Sequence, residues 1–516
     1  MASSFGTPFY ERIGFRSHPF SQTNADEEPF LKTYFIPPPF FDAVVGDPSQ
    51  PNPSIVMAPR GAGKTALRRM VEEWADQHSV LAVTYDRFEF GSGQKVEDVG
   101  LAYHLRNVIV RILVAYLSLL ADSAQLITAL DEPTRRNLSL FVHSYLGDMT
   151  GMKFGEVLSS LKSVPEKVRE FWSRNVGFLE PVINIFLKRY GLETIDLPDL
   201  RQEQKKLETS YKHQLEVLFE VVKAAGKVSV YVLTDKTDES EKTGGNPEKA
   251  YMLLRSILQD LELLGMKGYG FKIFAWDQIY NQFREQARPD RLPQYSLSWP
   301  RKRIEELIAA RVNAFSEGKV RTFSSLMDNG QKADSVIGLF ANHSPRNAIR
   351  LCEKILAVQA DLDNTSAKIT SRAFERGIAL FADQITTELY SEEICQDLKR
   401  AGRGLFTINY LASSVFKTAH ENTSRNKVTA WLNCGVVKQV GTVSVPESRR
   451  PLNFYYVSDP LMQRAIHEAE PLQEFLKARW LECPECPDCS ADNLIDIALV
   501  PNDNDPLCAF CSRPLL

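Results

Sequence analysis

The chain has 516 residues, of which 44% are hydrophobic and 24% charged, with a formal net charge of -4. This length predicts about two to four domains, and the composition excludes wholesale disorder. The charge balance excludes a global attraction to nucleic acid or acidic membranes, so contacts of that kind need a local basic patch.

Residues 1–50 form an extended arm rich in Phe and Pro, with Phe15, Pro19, Phe20, Tyr34, Phe35 and the run Pro37-Pro38-Pro39. The start, Met1-Ala2-Ser3-Ser4-Phe5-Gly6, has neither the basic segment nor the apolar stretch of a secretory signal, and a cytoplasmic location is expected. Ser54 to Met57 reads as a strand, and Ala66, Leu67, Met70, Val71 and Trp74 follow at helical spacing. Val80 to Tyr85 reads as a second strand, which opens a parallel α/β sheet. From about 95 to 225 the periodicity is helical, giving a large insertion. Its longest apolar run, Ile112 to Ala121, is shorter than the roughly 20 residues of a membrane span and predicts a buried helix. Val228 to Leu233, ending in Thr234-Asp235, and Phe271 to Trp276, ending in Asp277, suit buried parallel strands with polar tips. Tyr295 to Trp299 is a candidate last strand. Residues 301–385 return to helices, broken at His343-Ser344-Pro345-Arg346. Residues 386–470 read as a winged helix-turn-helix, with a hairpin from Val436 to Val457.

Between the first strand and its helix lies Ala58-Pro59-Arg60-Gly61-Ala62-Gly63-Lys64-Thr65, a phosphate-binding loop whose backbone N–H groups point at phosphate oxygens at a helix N-terminus. The nucleotide contacts are expected from Pro59, Arg60, Gly61, Ala62, Gly63, Lys64, Thr65 and Ala66, with Lys64 on the β- and γ-phosphates and Thr65 on Mg²⁺. Ala58 stands where a glycine is usual. A second acidic ligand for Mg²⁺ is expected at Asp235, at the end of an apolar strand. The position after it, commonly a glutamate that orients the attacking water, is Lys236. That role then falls to Asp238 or Glu239, and hydrolysis is expected to be slow.

Five of the eight cysteines crowd into Cys483-x2-Cys486-x2-Cys489 and Cys508-x2-Cys511, the spacing of a tetrahedral Zn²⁺ site rather than a disulfide framework. Cys486, Cys489, Cys508 and Cys511 are the expected ligands, with Cys483 as the alternative. A backbone N–H from Ser490 is expected to support Cys489, whereas Pro487 has none to offer Cys486. The winged-helix region carries local positive charge: Lys399, Arg400, Arg403, Lys417, Arg425, Lys427, Lys438, Arg449 and Arg450. With Ser424 to Lys427 at the start of a recognition helix, this leaves DNA and protein docking both open.

The segments Pro59 to Thr65, Asp235-Lys236-Thr237-Asp238-Glu239 and Ser344-Pro345-Arg346 resemble AAA+ ATPases of the Orc/Cdc6-like and STAND type, over roughly residues 10 to 460. Within that group the chain is most similar to bacterial P-loop ATPases with a large helical insertion, many of which sit in anti-phage defence systems. The resemblance implies an α/β, AAA+-like P-loop NTPase fold: an N-terminal arm at 1–50, an ATPase core at 51–300, a helical lid at 301–385, a winged helix at 386–470 and a zinc ribbon at 480–516. It places Gly14-Phe15 to Pro19-Phe20 beside the adenine and Arg346 as a lid arginine on the γ-phosphate. It puts Asp277 at the tip of the fourth strand, where Trp276 stands in place of an expected arginine. Among Arg284, Arg288 and Arg291, Arg288 is the first choice for an arginine finger offered to a neighbouring subunit, which implies a homo-oligomer. The function implied is an ATP-hydrolysing, oligomerising switch, acting in anti-phage defence with a protein effector, since no nuclease, protease or deaminase motif stands in the chain. Two alternatives remain: a DNA-associated initiator or loader in replication or transposition, and a weakly hydrolysing ATP-binding scaffold. No membrane partner is expected.

Overall fold

The computed structural model describes residues 7–91, 93–122, 130–147, 149–161, 164, 166–175, 210–418, 421–443, 450–481, 485–500, 507–508 and 510–515. The chain divides into two compact units, one formed by Pro37–Leu297 and the other by Met1–Ile36 with Ser298–Leu516.

The first unit is built on a parallel sheet of β1 (Ser54–Ala58), β2 (Val80–Tyr85), β3 (Ser229–Thr234), β4 (Tyr269–Trp276) and β5 (Gln294–Ser296), in the order β2-β3-β4-β1-β5. Every residue of β1, β2 and β3 is buried, which is why these strands are continuous apolar runs rather than alternating ones. The charged Lys272 in β4 is satisfied by donating to Asn52 O at 2.7 Å and Asn52 Oδ1 at 2.9 Å, and burial pulls its ammonium down to about 7. The helix Lys64–Gln77 follows β1 after the loop 59–63 and buries Leu67, Val71 and Ala75. The helical insertion supplies Leu101–Asp122, Glu132–Leu146, Gly151–Ser160, Glu166–Asn175 and Tyr211–Ala224. Leu101–Asp122 is long and apolar enough to cross a membrane by length and composition, yet 78% of its most apolar window is buried within the fold, as expected of a core helix. Because the strands are parallel, the loops after β1, β2, β3 and β4 converge on one edge of the sheet, where open α/β sheets place their ligands. This is the parallel α/β sheet with a large helical insertion expected from the sequence.

The second unit contains the helices Arg301–Phe315, Ala333–Phe340, Pro345–Leu362 and Ser371–Leu389, over the stretch expected to return to helices. Residues 7–36 pack with these helices. Arg311, 1% exposed, donates to Pro19 O, Tyr34 Oη, Gln22 O (3.1 Å) and Glu28 Oε2 (2.5 Å), so four points of the arm close on one guanidinium. Phe15 and Phe20 are buried there, with Phe20 6.0 Å from Phe323 between ring centres, which makes them hydrophobic anchors within this unit. Helix Glu392–Ala401, β6 (Leu405–Thr407), helix Glu421–Asn433, β7 (Val437–Val443) and β8 (Leu452–Val457) follow, and the strands form an antiparallel sheet ordered β6-β8-β7. Helices followed by a hairpin over Val436 to Val457 are what the sequence led one to expect here, and β7 and β8 are its two arms. The cysteine-rich end shares a core with that sheet: Leu405 and Tyr456 cluster with Cys486, Ala491, Ile495, Cys508 and Leu515.

Candidate functional site

The loop after β1 is shaped by two glycines. Gly61 and Gly63 have φ of 79° and 87°, a left-handed conformation that a side chain disfavours, so both positions require glycine. Ala58, by contrast, is the last residue of the extended strand β1, where a methyl group is tolerated; this explains the departure from the usual glycine. Gly63 caps the helix Lys64–Gln77, directing its free N–H groups and positive dipole end at the loop. Lys64 is 9% exposed and its Nζ donates to Ala58 O at 3.0 Å and Pro59 O at 3.1 Å. Burial lowers its pKa, and the charges of Asp238, Asp235, Asp277 and Glu239, in that order, oppose the shift. The tips of β3 and β4 thus bring acidic groups to the lysine at the mouth of the loop.

Asp235, 1% exposed, follows β3 directly. Its Oδ2 accepts from Thr65 Oγ1 at 2.9 Å and from Arg68 Nε at 3.2 Å, and its Oδ1 accepts from Lys236 N at 2.9 Å. Burial raises the Asp235 pKa, and Arg68 is the main influence in the other direction. Arg68 also donates to Glu72 Oε2 at 3.2 Å and Thr84 Oγ1 at 2.9 Å. Arg68 belongs to no sequence motif; its one signal is spacing, one helical turn after Lys64 and one before Glu72, on the inward face.

Asp238 is buried and accepts from Arg60 Nε at 2.7 Å, whereas Glu239 is exposed. The Arg60 guanidinium lies 4.8 Å from the Trp276 ring centre, so an arginine does reach the tip of β4, though it comes from the phosphate loop. Lys236 lies 3.6 Å from Asp86, the residue following β2. Arg288 and Arg291 are exposed and pair with Asp290 at 3.2 and 3.6 Å, and Arg284 is exposed on the helix Tyr280–Gln286. Arg346 is exposed in the first turn of Pro345–Leu362, a helix of the other unit capped by Ser344.

In the winged-helix region several cations are engaged locally. Lys427 pairs with Glu393 at 2.9 Å and Asp397 at 2.5 Å, Arg425 with Glu421 at 2.9 Å, and Lys399 with Asp383 at 2.8 Å. Arg403 stacks on Tyr410, and Lys438 lies 3.9 Å from the Phe510 ring centre. Arg449 lies outside the described residues.

Two donor sets fit metal ions. Adjacent ligands of an octahedral Mg²⁺ at about 2.0–2.1 Å stand about 2.9 Å apart, the observed separation of Thr65 Oγ1 and Asp235 Oδ2. The sulfurs of Cys486, Cys489, Cys508 and Cys511 all lie within 4.8 Å of one another, with Cys486–Cys511 at 3.5 Å and Cys489–Cys508 at 3.6 Å. A tetrahedral Zn²⁺ with bonds of about 2.3 Å sets its sulfurs about 3.8 Å apart. Backbone N–H groups support these thiolates: Cys489 and Asp488 donate to Cys486 and draw its thiol down to about 7, and Phe510 N donates to Cys508 Sγ at 3.4 Å. The donor to Cys489 is Ala491, not Ser490, whose N–H turns back to Cys486 O at 2.9 Å. The alternative ligand Cys483 lies outside the described residues.

No protein-family model matches the chain, and no curated protein does. Among solved structures it is similar to the Aeropyrum pernix ORC1 protein in complex with DNA, at 10% identity and a TM-score of 0.35, covering 89% of this chain and 99% of that one. It is also similar to the A. pernix ORC2 protein in ADPNP-ADP complexes, at 9% identity and a TM-score of 0.38, covering 86% of this chain and 98% of that one.

Proposed function

We propose that this chain is an ATP-binding and ATP-hydrolysing switch. The observation that carries this reading is the joining of Lys64, in a glycine-shaped loop at a helix N-terminus, to a Thr65–Asp235 pair with the spacing of two Mg²⁺ ligands. In this reading the loop N–H groups from Arg60 to Thr65 and the Lys64 ammonium bind the β- and γ-phosphates. Thr65 and Asp235 are the residues that would hold Mg²⁺, and a bound Mg²⁺ would supply charge neutralisation at the phosphates. Arg346, on the lid, and Arg288, delivered by a neighbouring copy, add positive charge to the transferring phosphoryl group. Such sharing makes the active form a homo-oligomer.

The setting we propose is anti-phage defence in the cytoplasm, with a separate protein as effector. The engagement of Lys427 and Arg425 by carboxylates within residues 386–470 favours use of that region in protein docking over DNA contact. The four cysteines hold a structural Zn²⁺, since four thiolates leave no open coordination position.

Replacement of Lys64 by Ala tests the reading. The substitution removes the phosphate charge and little core packing, so ATP binding or turnover should be lost while the thermal transition stays in place. Parental affinity and turnover in Lys64→Ala would overturn the assignment.

A further inference from the structure

Lys236 follows the metal-binding Asp235, and an ammonium carries only donors, so it cannot accept a hydrogen bond from an attacking water. A carboxylate for that task must come from elsewhere at the strand tips. Glu239 is exposed, and no contact holds its side chain at the strand tips among those described. Asp238 is held twice by one arginine: Arg60 Nε donates to its Oδ2 at 2.7 Å, and Arg60 Nη2 donates to its backbone carbonyl at 2.9 Å. The guanidinium in turn rests on Trp276, 4.8 Å from the ring centre. These three residues come from three different strand ends. Arg60 follows β1, Asp238 follows β3, and Trp276 ends β4, which lies between them in the sheet. Arg60 therefore crosses the tip of β4 to reach Asp238.

The Arg60 side chain is 46% exposed, so this ion pair adds little to stability. It fixes geometry instead, because it binds both the side chain and the backbone of residue 238. Arg60 belongs to the loop between β1 and the helix Lys64–Gln77, so both of its bonds tie Asp238 to that loop.

We infer that Arg60 is a positioning residue for hydrolysis, acting through Asp238 with Trp276 as its platform, and that Asp238 rather than Glu239 orients the attacking water. The inference rests on the proposed ATPase reading. In the step it serves, the water oxygen bonds to the γ-phosphorus as the bridging P–O bond breaks and ADP leaves. The water's displaced proton, hydrogen-bonded to Asp238, ends on the product phosphate.

The test uses the full chain, with equilibrium ATP binding and steady-state turnover measured in parallel for Arg60→Ala, Arg60→Lys, Asp238→Asn and Glu239→Gln. Arg60→Ala and Asp238→Asn should each lose about 100-fold in kcat, the usual scale for an oriented acid–base group, while ATP Kd changes by no more than about threefold. Arg60→Lys should fall in between, because a point charge cannot make both bonds. Added guanidinium ion should restore part of the turnover of Arg60→Ala, which a merely misfolded variant would not show. Loss of ATP binding in Arg60→Ala in proportion to turnover would mean a direct phosphate contact and would overturn the inference. So would a larger loss in Glu239→Gln than in Asp238→Asn, or a parent protein that binds ATP without turnover. A parent that binds no ATP would instead remove the ATPase reading itself.

Discussion

Replacing Arg68 by Met removes the cation shared by Asp235, Glu72 and Thr84 while keeping a side chain of similar length in the core. Arg68 is 1% exposed, and withdrawing one partner from a buried ionic network costs about 3–5 kcal/mol. For a unit of this size that corresponds to a fall of about 6–20 °C in its transition temperature, taking about 2–4 °C per kcal/mol. The pH dependence has a definite sign. Burial already raises the Asp235 pKa, and Arg68 is the main influence holding it down, so the Met variant has a more strongly raised carboxyl. A carboxyl raised in the folded state gives stability that is fully present below its unfolded pKa and is lost as pH rises through the folded value. The stability deficit of the variant should therefore be largest at alkaline pH and shrink on acidification. Its Mg²⁺-dependent ATP binding should move the opposite way, weakening as pH falls, because protonated Asp235 is a poor metal ligand. Thermal melts and titration calorimetry between about pH 5.5 and 8.5 measure both trends. A transition unchanged at every pH, with parental Mg²⁺ dependence, would refute the role given to Arg68.

Stripping Zn²⁺, or changing Cys508 and Cys511 to Ser, should melt the cysteine-rich end, and hydrogen exchange should also rise at Leu405 and Tyr456, which share its core. Purified protein containing no zinc by elemental analysis would end that proposal. If Arg288 completes a neighbour's site, Arg288→Ala should lower turnover at least tenfold without weakening ATP binding, and parental turnover should rise more steeply than linearly with protein concentration. Sedimentation as a monomer with and without ATP would exclude the shared site. Parallel measurements on Arg284→Ala and Arg291→Ala identify the finger if Arg288 is the wrong arginine.

Local chemistry made much of this protein legible in its sequence. The strands β1 to β4 are apolar runs with polar ends, and a buried parallel strand can hardly look otherwise, since both of its faces are covered. The phosphate loop was legible because left-handed backbone at positions 61 and 63 demands glycine, and a helix start after them supplies the N–H groups. The four cysteines were legible from spacing alone, although the donor to Cys489 was misjudged by one residue, because the turn sends Ser490 N–H back to Cys486 O. Contacts between residues far apart in the chain had no local signal. Arg60 meets Asp238 across 178 positions and Arg68 meets Asp235 across 167, and both pairs exist only because a parallel sheet gathers successive strand ends at one edge. The arm shows the same limit. Its aromatics announce burial, but Arg311, nearly 300 residues away, supplies the donors that its carbonyls, Tyr34 and Glu28 close upon. Sequence determined which groups each strand end and loop could offer. The order of the strands, fixed by packing, decided which of those groups meet.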